Sequence, residues 1–341
     1  MDSKKCIYGF MATLIALLMG SCSQDDAIGA ASTDEAIPVE ISIGNDKAST
    51  RAPGDVALSV NRVLILPFQK TSEGLADDAA NFIPVYGSAK QIDVTTFPNV
   101  VTKLSLTPAT TYRILIIGYN RNDYDFANQS SISRRFDIGS ASTPTTLANF
   151  HLQPISPVNV PEFFTCIATG YKNGQLVGTS FQPEQIDNIK GTLKRIVSGL
   201  TVDISNIPAY VTSVSLSAEQ LVSATRATDG VPTLWQTAGD SGLKTLGSLA
   251  PVNGKVTFSP YVLAVPDARK TLLYINIAYG TINQSYPVNI TDAVGVVSGN
   301  RIIFSPNHWV KITGDFINST LVFTLSRTIN LDDNLWDGIA N

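Results

Sequence analysis

From Ile37 onward, polar and apolar residues alternate along short stretches that are rich in Val, Ile, Thr and Tyr. Pro, Gly, Asn and Asp interrupt these stretches at short intervals. A period of two is typical of β-strands with one buried face, and the interrupting residues favour turns. The pattern predicts an all-β fold of antiparallel sheets packed as β-sandwiches. The clearest predicted strands are residues 63–68, 103–106, 112–119, 200–204, 211–216, 255–258, 272–279, 301–304 and 320–325.

Helical segments are few, and residues 183–189 and 218–223 are at most short connectors. Removing residues 1–21 from the 341-residue chain leaves 320 residues, which is long for a single hydrophobic core. The polar segment 182–192 precedes a new run of strands. We therefore expect an N-terminal β-sandwich domain over residues 37–190 and a C-terminal β-sandwich domain over residues 191–341.

The N-terminus has the features of an export signal. Lys4 and Lys5 precede an apolar run over residues 7–19, and the small residues Gly20 and Ser21 follow it. The run is shorter than the roughly 20 residues that a membrane-spanning helix needs. Residues 1–21 are thus predicted to be a signal peptide.

Cys22 directly follows the sequence LMGS, which resembles the lipobox of bacterial lipoproteins. In such proteins the chain is cut before the cysteine, which then carries the acyl chains that hold the protein on a membrane. The next four residues, SQDD, resemble the acidic export tag of lipoproteins on the outer face of some Gram-negative outer membranes. Residues 22–36 are small and polar, so we expect a flexible tether. The alternative is an ordinary secretory signal with an incidental cysteine.

Composition and charge argue against several classes of protein. Charged residues make up 15% of the chain, the net charge is −4, and no basic cluster occurs, so we expect no nucleic-acid partner. Of the three cysteines, Cys6 lies in the signal peptide and Cys22 is the predicted lipid acceptor. Only Cys166 remains, which excludes an internal disulfide. Its apolar neighbours indicate a buried structural residue.

The sequence carries no recognisable catalytic motif, and we predict no catalytic residue, no metal site and no cofactor. His151 and His308 are the only histidines, and neither has a Ser, Cys or metal-ligand partner at a familiar spacing. The acidic clusters at residues 122–125 and 332–334 lack the Gly and terminal Glu of a calcium loop and are interpreted as turns. Trp235, Trp309 and Trp336 could stack on sugars, although tryptophans are more often core or rim residues.

A strand with one apolar face is predicted near the start of the mature chain, where Ile37, Val39, Ile41 and Ile43 alternate with other residues. The following loop, residues 48–54, is small and polar with Arg51 as its single basic residue, and such loops are preferred sites of proteolysis. Cleavage there would release the strand. Its sheet would then expose an apolar groove and unpaired backbone groups, which are a template for another chain.

A matching alternation occurs near the C-terminus. Its apolar positions, interrupted by Arg327, are Leu321, Phe323, Leu325, Ile329 and Leu331. A strand with this spacing from a second molecule could fill the vacated groove with backbone hydrogen bonds and side chains together. The alternative is that both segments are ordinary edge strands that stay in place.

Several blocks of the sequence resemble those of fimbrillins, the subunits of type V pili. They are VLILPF at 63–68, LSLTP at 104–108 leading into YRILIIGYN at 112–120, and LKR at 193–195 before VDI at 202–204. With the lipobox and the Arg51 loop, the resemblance covers most of the chain. It implies two transthyretin-like β-sandwich domains, export as a lipoprotein, cleavage between Arg51 and Ala52 by a surface protease, and polymerisation by strand exchange. Thr107-Pro108-Ala109 stands where the family usually has a glycine.

The resemblance also implies partners and a location. The partners would be other pilus subunits, outer-membrane lipid before cleavage, and an adhesion receptor on host or bacterial cells; the location would be the outer membrane and a surface pilus. The family also includes anchor subunits that are never cut and tip subunits that bind other cells. The competing interpretation is an uncleaved surface lipoprotein, either a pilus anchor or a glycan-binding protein. A secreted hydrolase is disfavoured, because no nucleophile, base and oxyanion donor occur together.

Overall fold

The computed structural model describes most of the chain from residue 36 onward, and the structural statements below concern that part. The described ranges are residues 36–45, 60–95, 100–128, 134–139, 145–235, 242–265, 271–290, 297–298, 301–317 and 320–330. They belong to one compact unit that begins at Ala36.

Strands are the main elements of the described residues, which confirms the predicted all-β fold. The N-terminal half, defined here as residues up to 195, contains β1 (Ile37–Asn45), β2 (Arg62–Lys70), β3 (Phe82–Pro84), β4 (Lys90–Asp93), β5 (Val100–Leu106), β6 (Tyr112–Tyr119), β7 (Phe136–Gly139), β8 (His151–Pro154), β9 (Phe164–Ile167), β10 (Thr169–Lys172), β11 (Gln175–Gly178) and β12 (Asn188–Arg195). Helical elements in the described ranges are limited to 3-10 helices at Ala79–Asn81, Tyr86–Ser88, Leu147–Asn149 and Pro183–Gln185.

The C-terminal half contains the remaining strands. They are β13 (Val197–Ser205), β14 (Ser213–Glu219), β15 (Val222–Arg226), β16 (Pro232–Trp235), β17 (Lys244–Leu249), β18 (Val256–Phe258), β19 (Tyr261–Leu263), β20 (Leu272–Tyr279), β21 (Ile282–Pro287), β22 (Val297–Ser298), β23 (Arg301–Ile302), β24 (His308–Ile317) and β25 (Thr320–Asn330). The second predicted connector, 218–223, is not helical. It contains the end of β14 and the start of β15, because Ala218 pairs with strands on both sides and this sheet ladder outweighs local propensity.

Strands β2 and β6 lie in the middle of the N-terminal half and are buried on both faces, so their sequences are nearly continuous apolar runs. One face packs into a cluster that includes Val63, Ile65 and Ile116, which we call the β1 core because β1 completes it. The other face, including Leu64 and Ile117, packs into a larger cluster that we call the main core. Each of these side chains is fully buried.

The sheet of the N-terminal half has the strand order β11-β10-β12-β9-β6-β2-β3, with β4 also beside β2 and with β1 between β12 and β5. In the C-terminal half, a sheet β18-β13-β24-β25 and a sheet β17-β14-β20-β21 contribute apolar residues to the main core. Most strand pairs are antiparallel, as predicted. The exceptions are β1 with β12 and β13 with β24, which are parallel.

Elements of the two halves share one sheet and one hydrophobic core. The sheet β16-β15-β8-β7 joins β8 to β15, where Leu152 pairs with Thr225 and His151 with Arg226. The main core likewise contains residues from both halves. The predicted boundary between residues 190 and 191 falls inside β12, whose last residue is separated from β13 by Ile196 alone. The division into two domains remains a prediction.

A buried ion pair lies in the N-terminal half, and its arginine makes a hydrogen bond to the C-terminal half. Arg195 at the end of β12 donates from Nε to Glu162 Oε1 over 2.8 Å, and its Nη2 lies 2.7 Å from the same oxygen. The side chains are 0% and 1% exposed. Arg195 Nη1 also donates to Asn307 Oδ1, in the C-terminal half, over 3.2 Å. Sequence analysis did not identify this network, because one Arg in a strand and one distant Glu form no local pattern.

Candidate strand-exchange site

β1 is the strand that the predicted exchange would release from its sheet. Val39, Ile41 and Ile43 are 2%, 0% and 3% exposed, whereas Pro38 and Glu40 are exposed, so the predicted single apolar face is confirmed. Ile37 is half-buried and packs against the same core. Burial of a side chain of this size contributes roughly 1.5–3 kcal/mol to folding.

β1 occupies an interior position in its sheet and not an edge. It pairs in parallel with β12 from Glu40 to Asn45 and antiparallel with β5 from Ile37 to Ile43. Within the described residues, β5 has no strand partner other than β1. Removing β1 would therefore open a slot between β5 and β12 and leave backbone groups unpaired on both sides of it.

The floor of this slot is shaped by Gly191, which pairs with Ile43. A Cβ at Gly191 would lie only 2.3 Å from Ile116 Cδ1 of β6. Real Cβ atoms do not approach another atom so closely, so the absence of a side chain here lets the isoleucine of β6 pack beneath β1. The apolar packing of Ile116 against β12 thus depends on the absence of a side chain at position 191.

The C-terminal strand β25 lies at the edge of its sheet and, within the described residues, pairs with β24 alone. The half-buried Phe323 lies opposite Gly314, where an added Cβ would be 3.1 Å from the Phe323 ring, while its neighbour Val322 is 49% exposed. Leu321 lies opposite Phe316 in the same ladder.

The backbone of β25 departs from the simple alternation expected from its sequence. The register shifts between Leu325, which lies opposite Ile312, and Arg327, which lies opposite Lys311. Ser326 is therefore an extra residue, as in a β-bulge, and Ile329 lies opposite Trp309. The side chains of Leu321, Leu325 and Ile329 lie outside the described residues. Assignment of these residues to a donor strand stays a prediction.

Several predicted site residues lie outside the described residues. They are Cys22, Arg51, Ala52 and Leu331, and Trp336 lies outside them as well. Their roles in lipidation, cleavage and donation therefore remain predictions. In the described part of the chain, no helix has the length and apolar character to cross a membrane.

The two histidines and Cys166 make contacts typical of structural residues. His151 Nδ1 lies 3.1 Å from the carbonyl oxygen of Asn149, and His308 Nδ1 lies 2.8 Å from that of Pro306. Burial raises the pKa of the Cys166 thiol to about 12, which keeps it protonated and unreactive near neutral pH. In the described ranges, no group of three or more His, Cys, Asp or Glu residues is arranged to hold a metal ion.

The structure places Trp309 in the core. It is 2% exposed, its Nε1 donates to Thr201 Oγ1 over 2.8 Å, and its ring lies at right angles to that of Tyr261 with 5.5 Å between centroids. Gly199 allows this packing, since a Cβ there would lie 1.8 Å from the tryptophan ring. Trp309 is thus unavailable to an external sugar. The side chain of Trp235 lies outside the described residues.

Comparison with known proteins gives matches among solved structures. No protein-family model matches the sequence, and no curated protein matches it significantly. The fimbrial anchor protein Mfa2 from Porphyromonas gingivalis is 13% identical, with a TM-score of 0.44 over 84% of this chain and 95% of that one. The tip fimbrial protein Mfa3 from the same organism, with a C-terminal truncation, is 10% identical, with a TM-score of 0.40 over 86% and 98%.

A candidate cell adhesion protein from Parabacteroides distasonis is also 10% identical, with a TM-score of 0.42 over 88% of this chain and 92% of that one. Each of these three matches covers more than four fifths of both chains.

Proposed function

We propose that this protein is a structural subunit of a surface pilus that serves adhesion. It is exported as a lipoprotein on Cys22, cleaved between Arg51 and Ala52, and polymerised when the C-terminal strand of a neighbouring subunit enters the slot that β1 leaves. The observation that carries the proposal is the position of β1. It is an interior strand whose removal leaves an apolar slot with free backbone on two sides, and it ends only six residues before Arg51.

The direction of exchange follows from the number of strand neighbours. Among the described strands, β25 pairs in its own subunit with β24 alone, whereas a strand in the slot would pair with both β5 and β12. Each additional backbone hydrogen bond contributes roughly 0.5–1.5 kcal/mol net. A strand that leaves a sheet edge for an interior position therefore gains a second ladder. The alternative, an uncleaved surface lipoprotein that is a pilus anchor or binds glycans, would keep both the lipid and β1.

Mass spectrometry of the protein isolated from the cell surface distinguishes these two functions. A mature N-terminus at Ala52 supports the cleaved subunit. A diacylated Cys22 as the only N-terminus supports the uncleaved lipoprotein and contradicts polymerisation through the β1 slot.

Replacing Cys22 with serine is expected to abolish lipidation and membrane association, because the acyl chains on Cys22 are the proposed membrane anchor and the predicted signal peptide is removed on export. Incorporation of a labelled fatty acid and recovery in the outer-membrane fraction measure the two effects. A Cys22→Ser protein that still takes up fatty acid and sediments with outer membranes would show that the lipoprotein assignment is wrong.

Replacing Phe323 with aspartate is expected to block donation but not cleavage. Burying an unpaired carboxylate in an apolar slot costs several kcal/mol of free energy. In its own subunit residue 323 is only half-buried, so the carboxylate costs less there. The control is Val322→Asp, which adds the same charge one residue away at an exposed position. Electrophoresis after cleavage should show oligomers for Val322→Asp and none for Phe323→Asp, with similar melting temperatures for the two precursors. Equal oligomer formation by both variants would contradict the proposed donor strand.

A further inference from the structure

A cleft of about 560 Å³ lies on the outer face of the N-terminal sheet. Strands β9, β10 and β12 form its base, and the turns at Thr228–Asp229 and Pro306–Asn307 of the C-terminal half form its far side. The volume falls within the roughly 300–1,000 Å³ that is usual for ligand sites. The cleft lies across β12 from β1, and the two sites share this strand, whose Lys190 and Thr192 pair with Ser42 and Gly44 of β1.

The charge of this cleft is opposite in sign to that of the whole chain. Lys190 and Lys194 line it as exposed residues, and neither forms an ion pair with a described residue. Of the acidic groups nearby, Asp229 pairs with Arg226 and Glu162 pairs with Arg195, while Glu40 of β1 lies opposite Asn188 but does not line the cleft. The cleft therefore carries two uncompensated positive charges on a protein whose net charge is −4.

The position of these charges is defined by the sheet. Lys190 and Lys194 lie four residues apart on one strand, so their Cα atoms are separated by about 13 Å. The Lys190 ammonium lies 4.7 Å from the centre of the Tyr171 ring, a cation–π contact that holds it at one end of the cleft. A ligand that meets both ammonium groups must be longer than a single sugar ring and carry anionic groups near both ends.

Between the two lysines the lining is rich in hydroxyl groups. Thr165, Thr169 and Thr192 all line the cleft. The Thr165 side chain is buried, and its hydroxyl makes no hydrogen bond within the described part of the chain. Buried hydroxyl groups normally have a hydrogen-bond partner, so this one is an unsatisfied polar group at the base of the cleft.

We infer that this cleft binds an anionic oligosaccharide, a sugar chain that carries carboxylate or sulfate groups. The lysines meet the anionic groups and the threonines meet the sugar hydroxyls. A peptide strand is disfavoured, because β12 already pairs on this side with β10 at residues 188–190 and with β9 at residues 194–195, which leaves only three residues between them without a ladder. A nucleic acid is disfavoured as well, since two lysines contact few phosphates. The cleft is formed while β1 is in place, so it can be tested on the uncleaved monomer.

The test compares two double variants of the monomeric precursor that lose the same charge. Lys190→Gln with Lys194→Gln removes the cleft lysines. Lys103→Gln with Lys255→Gln removes two lysines that do not line the cleft, and Lys103 lies on β5 of the same sheet. Binding is measured by calorimetry with hyaluronate fragments, heparin fragments, neutral dextran fragments and a single-stranded DNA of similar length, and melting temperatures check the fold.

We expect at least one of the two anionic saccharides to bind, with an affinity that falls as salt is added, and dextran not to bind. The cleft variant should lose affinity by about tenfold or more, as expected for two charge-assisted hydrogen bonds, while the control variant loses less than about twofold. Preference for hyaluronate or heparin identifies the carboxylate or the sulfate. Equal losses in the two variants, tighter binding of DNA, or failure of both anionic saccharides to bind would overturn the inference.

Discussion

The Arg51→Ala precursor is expected to remain monomeric after treatment with an arginine-specific protease, whereas the wild-type precursor is converted into a ladder of oligomers. In the uncut chain, β1 is held next to its own slot at an effective concentration on the order of millimolar. A neighbour's strand at micromolar concentration competes about a thousandfold less well. Electrophoresis without denaturation and electron microscopy measure the oligomers and the fibres.

A second protease provides the matched control. Lys47 lies between β1 and Arg51, so a lysine-specific protease can release β1 even from the Arg51→Ala chain. Oligomers should then return, because the proposal requires the release of β1 and not the arginine itself. Mass spectrometry identifies the cut site in each case. Polymerisation of uncut Arg51→Ala protein, or cleaved wild-type protein that stays monomeric, would contradict strand exchange at this slot.

The Glu162→Gln variant is expected to lose about 3–5 kcal/mol of unfolding free energy, because it leaves the Arg195 guanidinium buried without its countercharge. Both side chains are almost fully buried, so water cannot compensate for the lost carboxylate. The loss is larger than for typical point mutants, which are destabilised by roughly 0.5–3 kcal/mol. Chemical denaturation followed by circular dichroism measures it.

The ion pair between Arg226 and Asp229 provides the control for this variant. Both of its side chains are partly exposed, at 35% and 43%, and exposed pairs contribute about 0–1 kcal/mol. Asp229→Asn should therefore change the unfolding free energy by less than about 1 kcal/mol. If Glu162→Gln costs no more than Asp229→Asn, the buried pair does not stabilise the junction of the two halves.

For β1, the local sequence pattern predicted the buried face of the strand but not its position in the sheet. The alternation at Ile37, Val39, Ile41 and Ile43 predicted a strand with one buried face, and the structure buries that face. The same alternation was compatible with an edge strand. The structure shows that β1 is an interior strand. It pairs in parallel with β12, whose residues lie nearly 150 positions further along the chain. For β25, the extra residue Ser326 changes the register in a way that a period of two cannot reveal.

The all-β class, the strand at residues 37–43 and the absence of familiar catalytic motifs follow from the sequence, since each depends on residue types at short spacing. The neighbours of β1, the Glu162–Arg195 pair and the cleft at Lys190 and Lys194 emerged from the fold. Alternation reports that one face of a strand is buried, but it contains no information about which strand lies alongside. That choice depends on main-chain hydrogen bonds and side-chain packing between distant segments, and these exist only after the sheets have assembled.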